Sequence, residues 1–201
     1  MNKPNPVENT MDKCVNVKCQ CGKVRGVVSC GNRLFHNRVV CYCDDCQAFV
    51  GHLAQQNVLN EYGGSDVFQV SASQLTFTHG HEEIACLTVT REGVHRWFAS
   101  CCNSPLGNTM NARWPLVGLL HSCIEENLDD VVGPPSGSVF CKFANAAIPV
   151  EIKGPWSHKR VVANLVLKIV LWRLLRKNTP SPFYRQGEPL VKPYCLVDKS
   201  N

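Results

Sequence analysis

The sequence predicts a mainly β fold followed by one amphipathic helix near the C-terminus. Short apolar or alternating runs at 30–43, 67–89 and 93–99 are separated by glycine-containing turns, which is typical of β-strands. The segment 157–176 differs, because polar residues recur there at every fourth position within an otherwise apolar stretch. A chain of 201 residues is long enough to bury a core, and we expect one domain.

The predicted strands follow one another along the chain. The run at 30–43 ends in cysteines, and 67–89 contains an alternating and an apolar stretch on either side of a Gly-His turn. The strand at 93–99 leads directly into Cys101 and Cys102. Cysteines therefore lie at the ends of two predicted strands.

In the predicted helix, Arg160, Asn164 and Lys168 form a polar stripe at a spacing of four residues. We expect these charges on the solvated face, while the apolar remainder packs onto the β core or onto a second copy of the chain in a homodimer. The apolar run of about fifteen residues is interrupted by Lys168 and Arg173 and is shorter than the roughly twenty residues that a bilayer requires. No membrane span is expected.

The net charge of +5 comes from one part of the chain. Residues 153–177 contain seven Lys and Arg and no acid, and the remainder is slightly acidic. A basic balance concerns association and not fold, and the solvated face of a helix accounts for it. Nucleic acid is therefore not an expected partner.

Seven of the 13 cysteines fall into three tight groups. These are Cys19 with Cys21, then Cys41, Cys43 and Cys46 (hereafter the triplet), and finally Cys101 with Cys102. No apolar stretch follows the polar start of the chain, as a signal peptide would require, so a cytoplasmic location is predicted. In a reducing compartment, cysteines at such spacings favour metal binding over disulfides.

The cysteine spacings predict zinc sites. Thiolates one and two residues apart can converge on one tetrahedral Zn²⁺, and we expect one or two such ions per chain. A site built from the triplet alone would leave its fourth position open to water or to a substrate sulfur, as catalytic zinc requires. His52, six residues beyond Cys46, is the candidate that would close this site and make it purely structural.

Polar residues beside the triplet are the candidates for catalysis. Asp44, Asp45 and Gln47 lie between or next to the cysteines, where they could orient water or accept a proton. Asp44 and Asp45 have an alternative role, because aspartate favours the turns that would let Cys43 and Cys46 face one ion.

These observations divide the chain into three predicted regions. Residues 1–13 are expected to form a disordered N-terminus, and 14–150 a zinc-binding β domain. The helix and a proline-rich tail at 151–201 are expected to pack on that domain. The pattern over 109–149 predicts no particular structure.

Three motifs resemble those of the glutathione-dependent formaldehyde-activating enzymes, which share their domain with centromere protein V. The resemblance covers about residues 17–108. The motifs read Cys19-Gln20-Cys21-Gly22, Cys41-Tyr42-Cys43-Asp44-Asp45-Cys46, and Arg96-Trp97-Phe98-Ala99-Ser100-Cys101-Cys102-Asn103-Ser104-Pro105-Leu106. Three ordered motifs are more specific than any single pair of cysteines.

The resemblance implies a zinc-binding β-sheet fold of the formaldehyde-activating-enzyme type with two zinc ions. It implies that the triplet holds the zinc that meets substrate. It also implies that Cys19, Cys21 and Cys102 are ligands of a closed, structural zinc.

The chain departs from this family's pattern at two positions. Ala99 stands where the family has a cysteine, and Asn103 where it usually has glycine. Cys101 could supply the missing thiolate, but neighbouring residues on a strand point to opposite faces, so only a bulge would bring it onto the metal of Cys102. The alternatives are a site with three cysteines and a water as ligands, and the absence of a structural metal.

The predicted function is that of a zinc-dependent enzyme making or breaking a carbon-sulfur bond in a thiol adduct. Zinc holds an arriving sulfur as the thiolate and polarises a carbonyl. The resemblance implies a carbon-sulfur lyase type of reaction on the adduct of glutathione with formaldehyde, so the expected partner is a small thiol or thiol adduct, with glutathione as a candidate. The alternatives are a non-catalytic zinc-binding scaffold with a basic helix and a thiol redox sensor.

Overall fold

β-Strands form most of the regular structure in residues 14–196, the residues that the computed structural model describes. The predicted disordered N-terminus at 1–13, and 197–201 of the tail, lie outside this range. The longer strands are β1 (Cys14–Lys18), β2 (Arg25–Ser29), β3 (His36–Cys41), β4 (Ser65–Ser71), β5 (Leu75–His79), β6 (Ile84–Thr88), β7 (His95–Ala99), β8 (Ser104–Thr109) and β9 (Leu116–Leu120). The short strands are β10 (Ser138–Val139), β11 (Tyr184–Arg185), β12 (Glu188–Pro189) and β13 (Tyr194–Cys195). The helices are α1 (Asp44–His52), α2 (Leu128–Val131) and α3 (His158–Leu174).

The strands form a large sheet, a small sheet and a hairpin. The large sheet has eight strands in the order β10-β3-β4-β9-β8-β7-β6-β13, the small sheet has the order β1-β2-β5, and β11 pairs with β12. Strands in the large sheet are antiparallel except at its two edges, where β10 and β13 run parallel to their neighbours. The prediction of a mainly β fold is confirmed, and the predicted runs correspond to β3, to β4–β6 and to β7.

The main core lies between the two sheets. Alternate residues of β1, Val15 and Val17, are buried together with Val28 of β2. They share one apolar cluster with Phe68 and Trp97 of the large sheet. Because side chains alternate between the faces of a strand, each sheet contributes every second residue to this layer.

Helix α1 covers the other face of the large sheet. Its residues Phe49 and Val50, and Leu53 directly after the helix, are buried and pack against Leu87, Phe98 and Leu120. Each of these three strand residues follows an inter-sheet core residue by one position, as the alternation of a strand requires. Packing of α1 onto this face fixes the position of its N-terminus, where the triplet lies.

The segment after α3 packs on the domain through two aromatic residues. Phe183 is fully buried and stacks on Trp97, with ring centroids 4.5 Å apart. The Tyr184 hydroxyl lies 2.7 Å from Thr109 Oγ1 and 2.6 Å from His95 Nδ1. The prolines predict an irregular tail, but the segment contains the three short strands β11 to β13.

Helix α3 has nearly the predicted bounds, but part of the stripe predicted to be solvated faces the protein. Val161 and Trp172 are its buried residues. Two residues of the polar stripe face the protein, because Asn164 donates a hydrogen bond to Asn37 and Lys168 donates one to the Arg33 carbonyl at 2.8 Å, while Arg160 is exposed. Several apolar residues of α3 are exposed instead. The prediction that the polar stripe is solvated is therefore wrong at Asn164 and Lys168.

None of the helices in residues 14–196 is long and apolar enough to cross a membrane.

Candidate metal centres

The end of β3 and the start of α1 bring the triplet together. Cys41 is the last residue of β3, Cys43 is the N-cap of α1, and Cys46 lies in the first turn of that helix. The Sγ atom of Cys41 lies 3.4 Å from that of Cys43 and 3.8 Å from that of Cys46. Asp44 and Asp45 occupy the first turn of α1, where negative side chains interact favourably with the helix dipole.

The sulfur separations in the triplet suit a zinc ion. Tetrahedral geometry with zinc-sulfur bonds of about 2.3 Å places two thiolate sulfurs about 3.8 Å apart. The separations of 3.4 and 3.8 Å are close to that value. Soft thiolate donors also favour zinc over the hard cations that prefer oxygen.

Within residues 14–196, the metal-binding group around the triplet contains three cysteines and no fourth His, Cys, Asp or Glu. His52 does not belong to it, because it lies at the far end of α1 with its Nε2 3.2 Å from the Tyr194 hydroxyl. The alternative in which His52 closes the site does not agree with this geometry. Three protein ligands and one free position are the arrangement of catalytic zinc sites.

Arg96 contacts the triplet, and the sequence analysis gave it no role. This β7 residue is 3% exposed, and its Nη1 donates a hydrogen bond to Cys46 Sγ at 3.1 Å. Its Nη2 lies 3.6 Å from an Asp45 carboxylate oxygen, while its buried Nε has no hydrogen-bond partner. An arginine in the otherwise apolar part of a strand, five residues before a cysteine pair, is the signal that could have identified it.

The surroundings of Cys46 favour its thiolate form. Side-chain hydrogen bonds with Cys41 and Cys43 hold the pKa of Cys46 well below its ordinary value. Burial acts in the opposite direction, and the positive charge of Arg96 lowers the pKa of Cys46 further. A thiolate is the form that binds a metal ion.

The triplet lines a cavity of about 540 Å³. Val39, Val67, Gln69, Arg96 and Asn108 of the large sheet form one side of it. Val139 of β10 lines it as well, together with Val161, Val162 and Leu165 of α3 and with Phe140 and Phe143. The cavity is therefore mainly apolar, with its thiol and charged groups near the start of α1.

Two of the three predicted catalytic residues line the cavity. Asp44 and Asp45 do so from the first turn of α1. Gln47 is not among the lining residues. Its Nε2 donates hydrogen bonds to the carbonyls of Tyr42 and Phe143, each at 2.9 Å. Gln47 therefore positions the 139–143 segment beside the cavity.

A second group (hereafter the quartet) consists of Cys19, Cys21, Cys101 and Cys102. Cys19 Sγ lies 3.6 Å from Cys21 Sγ and 3.9 Å from Cys101 Sγ, and Cys101 and Cys102 are separated by 3.8 Å. These values again suit tetrahedral zinc, here with all four positions taken by protein. The sulfurs of distant segments thus converge in a closed site of the structural type.

The quartet forms because Cys101 and Cys102 lie in a turn between β7 and β8. Asn103 has a φ of +53°, in the left-handed region that asparagine tolerates better than most residues. The turn removes the alternation of a strand, so both cysteines reach the group without a bulge at these positions. All four sulfurs are present in the group, so the alternative of a three-cysteine site does not agree with the structure.

All 13 cysteines fall within the described residues 14–196, and no disulfide joins any two of them there. In the quartet, for example, Cys21 Sγ and Cys101 Sγ are 3.3 Å apart. A disulfide would require about 2.05 Å.

Fold and site together define a mainly β protein with one closed and one open group of cysteines, both compatible with zinc. The chain belongs to DUF6151, a family of unknown function, whose model matches residues 11–193. A crystal structure of a Rhodobacter sphaeroides protein is similar to the chain with a TM-score of 0.41 and 17% identity, over 60% of this chain and 97% of that one. No curated protein matches the chain.

Proposed function

We propose that this protein is a zinc-dependent enzyme that makes or breaks a carbon-sulfur bond in a thiol adduct. The observation that carries the proposal is the triplet itself, in which three thiols line a cavity and no fourth metal-binding side chain of residues 14–196 joins them. The resemblance of its three motifs to the formaldehyde-activating enzymes supports the same chemistry.

The two cysteine groups would have different tasks. Cys41, Cys43 and Cys46 would hold a zinc ion with one exchangeable position, and the quartet would hold a second, closed zinc that stabilises the fold. When bound at the triplet, zinc stabilises a substrate thiolate and polarises a carbonyl oxygen.

The reaction needs no oxidant or reductant. In the direction of adduct formation, the thiol sulfur bonds to the carbonyl carbon and the carbonyl π electrons move to oxygen. The thiol proton ends on that oxygen, and cleavage reverses each change. Asp44 and Asp45, which line the cavity, are placed to carry this proton, and Arg96 keeps Cys46 in its thiolate form.

The cavity favours a thiol with an apolar body over glutathione. Its walls are formed mainly by valine, leucine and phenylalanine, which suit an apolar group of the substrate. Among the lining residues in the described part of the chain, Arg96 is the one cation, and it already contacts Cys46 and Asp45. The two carboxylates of glutathione would lack partners here, and a buried charge without a partner is costly.

Cobalt substitution tests the open position directly. Co²⁺ replaces zinc in thiolate sites and absorbs visible light, so binding of an added thiol changes the charge-transfer spectrum. We expect benzyl mercaptan to change the spectrum of the wild type in a saturable manner and glutathione to require a higher concentration. Cys43→Ser should abolish the response, while the matched variant Cys21→Ser, in the quartet, should retain it. Catalysis is then measured as faster exchange between free and formaldehyde-bound thiol by NMR.

Other results would favour the other functions. A cobalt spectrum that no thiol changes would show that the triplet has no exchangeable position, which contradicts the enzyme proposal and favours a scaffold. Metal release by mild peroxide, reversed by a reductant and without accelerated adduct exchange, would favour a redox sensor.

A further inference from the structure

Helix α3 exposes an apolar face. Val166, Leu167, Val170 and Leu174 point to the same side of the helix, since they are spaced by one, three and four residues. Leu167 is 70% and Leu174 77% exposed. The buried side, with Val161 and Trp172, is apolar as well. A helix that is apolar on both sides is normally buried on both, so the exposed face lacks a partner among the described residues.

Basic residues flank this apolar face at both ends of the helix. Lys159 and Arg160 are exposed in its first turn, and Arg173 and Arg176 are exposed at its end. The sequence contains no acid from residue 152 to residue 187. The face therefore combines apolar side chains with positive charge and has no negative charge of its own.

A second copy of the chain fits this face poorly. Packing two copies of α3 antiparallel would place the Lys159 end of one helix beside the Arg173 end of the other. Parallel packing would place identical charges together. Either arrangement brings like charges into contact without an acid in the segment to compensate, and this repulsion opposes association.

The composition of residues 1–13 and 197–201 is also poorly suited to packing on the apolar face of α3. Residues 1–13 are mainly polar and include only three apolar side chains larger than alanine, besides prolines. Residues 197–201 contain one, Val197. Neither segment supplies an apolar surface that matches the length of α3.

We propose that α3 docks on an anionic lipid surface. An interfacial helix lies in the plane of the membrane, with its apolar side chains between the acyl chains and its Lys and Arg beside the negative headgroups. The helix of 17 residues is about 25 Å long at 1.5 Å per residue, enough for several contacts along the surface. Charge complementarity selects this occupant, because anionic headgroups supply the negative charge that a second copy lacks. The proposal does not depend on the proposed function.

Vesicle co-sedimentation tests the proposal with the full chain. Vesicles of phosphatidylcholine with phosphatidylserine are compared with vesicles of phosphatidylcholine alone. We expect binding to the anionic vesicles that weakens as salt is raised, because charge contributes to it. Replacing Leu167, Val170 and Leu174 by asparagine should reduce binding by about tenfold or more, since these side chains would no longer be buried in the membrane.

A matched variant separates this face from apolar exposure in general. Leu190 is 46% exposed, similar to Val170 at 51%, but it lies outside α3. The variant Leu190→Asn should therefore bind anionic vesicles as the wild type does. Circular dichroism of the triple variant should match the wild type, because the changed residues are exposed. If its spectrum changes, the single variant Leu167→Asn provides the same comparison.

Three results would overturn the proposal. The wild type would fail to bind anionic vesicles, or would bind neutral vesicles equally well, or the triple variant would bind unchanged. A wild-type dimer in analytical ultracentrifugation that the triple variant abolishes, without vesicle binding, would assign the face to a second copy.

Discussion

At the scale of single residues, Arg96 connects the triplet to the buried part of the large sheet. A buried guanidinium is costly unless it is paired with a negative group, and its two close partners are Cys46 and Asp45. The same contact stabilises the negative charge of Cys46. Burial of Arg96 and ionisation of Cys46 therefore support each other, and neither is apparent from the cysteine spacing.

Replacing Arg96 by methionine should weaken metal binding at the triplet. The substitution keeps the approximate volume but removes the charge and the hydrogen bond to Cys46, so we expect the affinity for zinc to fall by about 10- to 100-fold. Competition with a chromophoric chelator measures this affinity. Arg38→Met is the matched control, because Arg38 is also largely buried and pairs with Asp66 at 2.6 Å without contacting the triplet. An equal loss of zinc affinity in both variants would contradict the role of Arg96.

At the scale of elements, the turn between β7 and β8 explains how two adjacent cysteines enter one group of four. The sequence pattern predicts Cys101 and Cys102 at the end of a strand, where neighbouring side chains point to opposite faces unless a bulge intervenes. A left-handed residue at Asn103 instead closes a turn that presents both sulfurs. Glycine, which the resemblance predicts at this position, would adopt the same conformation without strain.

A β-branched residue at 103 should disturb this turn. Asn103→Val forces a bulky side chain into the left-handed region, and we expect it to lower the free energy of unfolding by about 1–2 kcal/mol and to loosen the quartet. Asn103→Gly should retain the stability and zinc content of the wild type, apart from a small entropic cost in the unfolded chain. Chemical denaturation and elemental analysis measure the two effects. Equal stability of the valine and glycine variants would show that the turn does not depend on this conformation.

Helix α3 shows what periodicity predicts and what it leaves open. The spacing of Arg160, Asn164 and Lys168 predicts a helix whose bounds differ by one or two residues from those observed. It cannot decide which stripe faces the protein, because that depends on distant partners. Lys168 Nζ donates hydrogen bonds to the backbone carbonyls of Arg33 and His36, and Trp172 Nε1 donates one to the Leu34 carbonyl. The α3 face turned towards the protein is therefore determined by a segment more than 120 residues earlier.

At the scale of the whole molecule, the cysteine spacings predict which cysteines come together. They do not predict which other residues surround the triplet and the quartet. Close spacing within one loop was sufficient to assemble the triplet, because Cys41, Cys43 and Cys46 span a single strand-to-helix junction. Arg96, the cavity and α3 belong to other parts of the chain and meet the triplet only in the folded protein. Val162 and Leu165 of α3 line the cavity on the edge of the helix that adjoins its exposed face. A lipid surface bound to α3 would thus lie close to a cavity suited to apolar thiols.

The quartet should contribute much more to stability than the triplet. Its sulfurs join the small sheet to the β7–β8 turn across 82 residues, whereas the triplet spans only a short local segment. We expect two zinc ions per chain in the wild type and one in each of Cys43→Ser and Cys21→Ser. Cys21→Ser should lose about 4 kcal/mol of stability, which lowers the Tm of a chain of this size by about 8–16 °C. Cys43→Ser should lose less than half as much.

Elemental analysis and calorimetry on the same samples separate the two roles. A single ion in the wild type that Cys43→Ser retains would place the metal in the quartet and leave the triplet without one, which contradicts the proposed function. Equal losses of stability in both variants would show that the triplet metal is structural as well. If Cys43→Ser loses the triplet ion with little change in Tm, the result agrees with an open, exchangeable site. A metal that binds a substrate in a preformed cavity need not stabilise the fold.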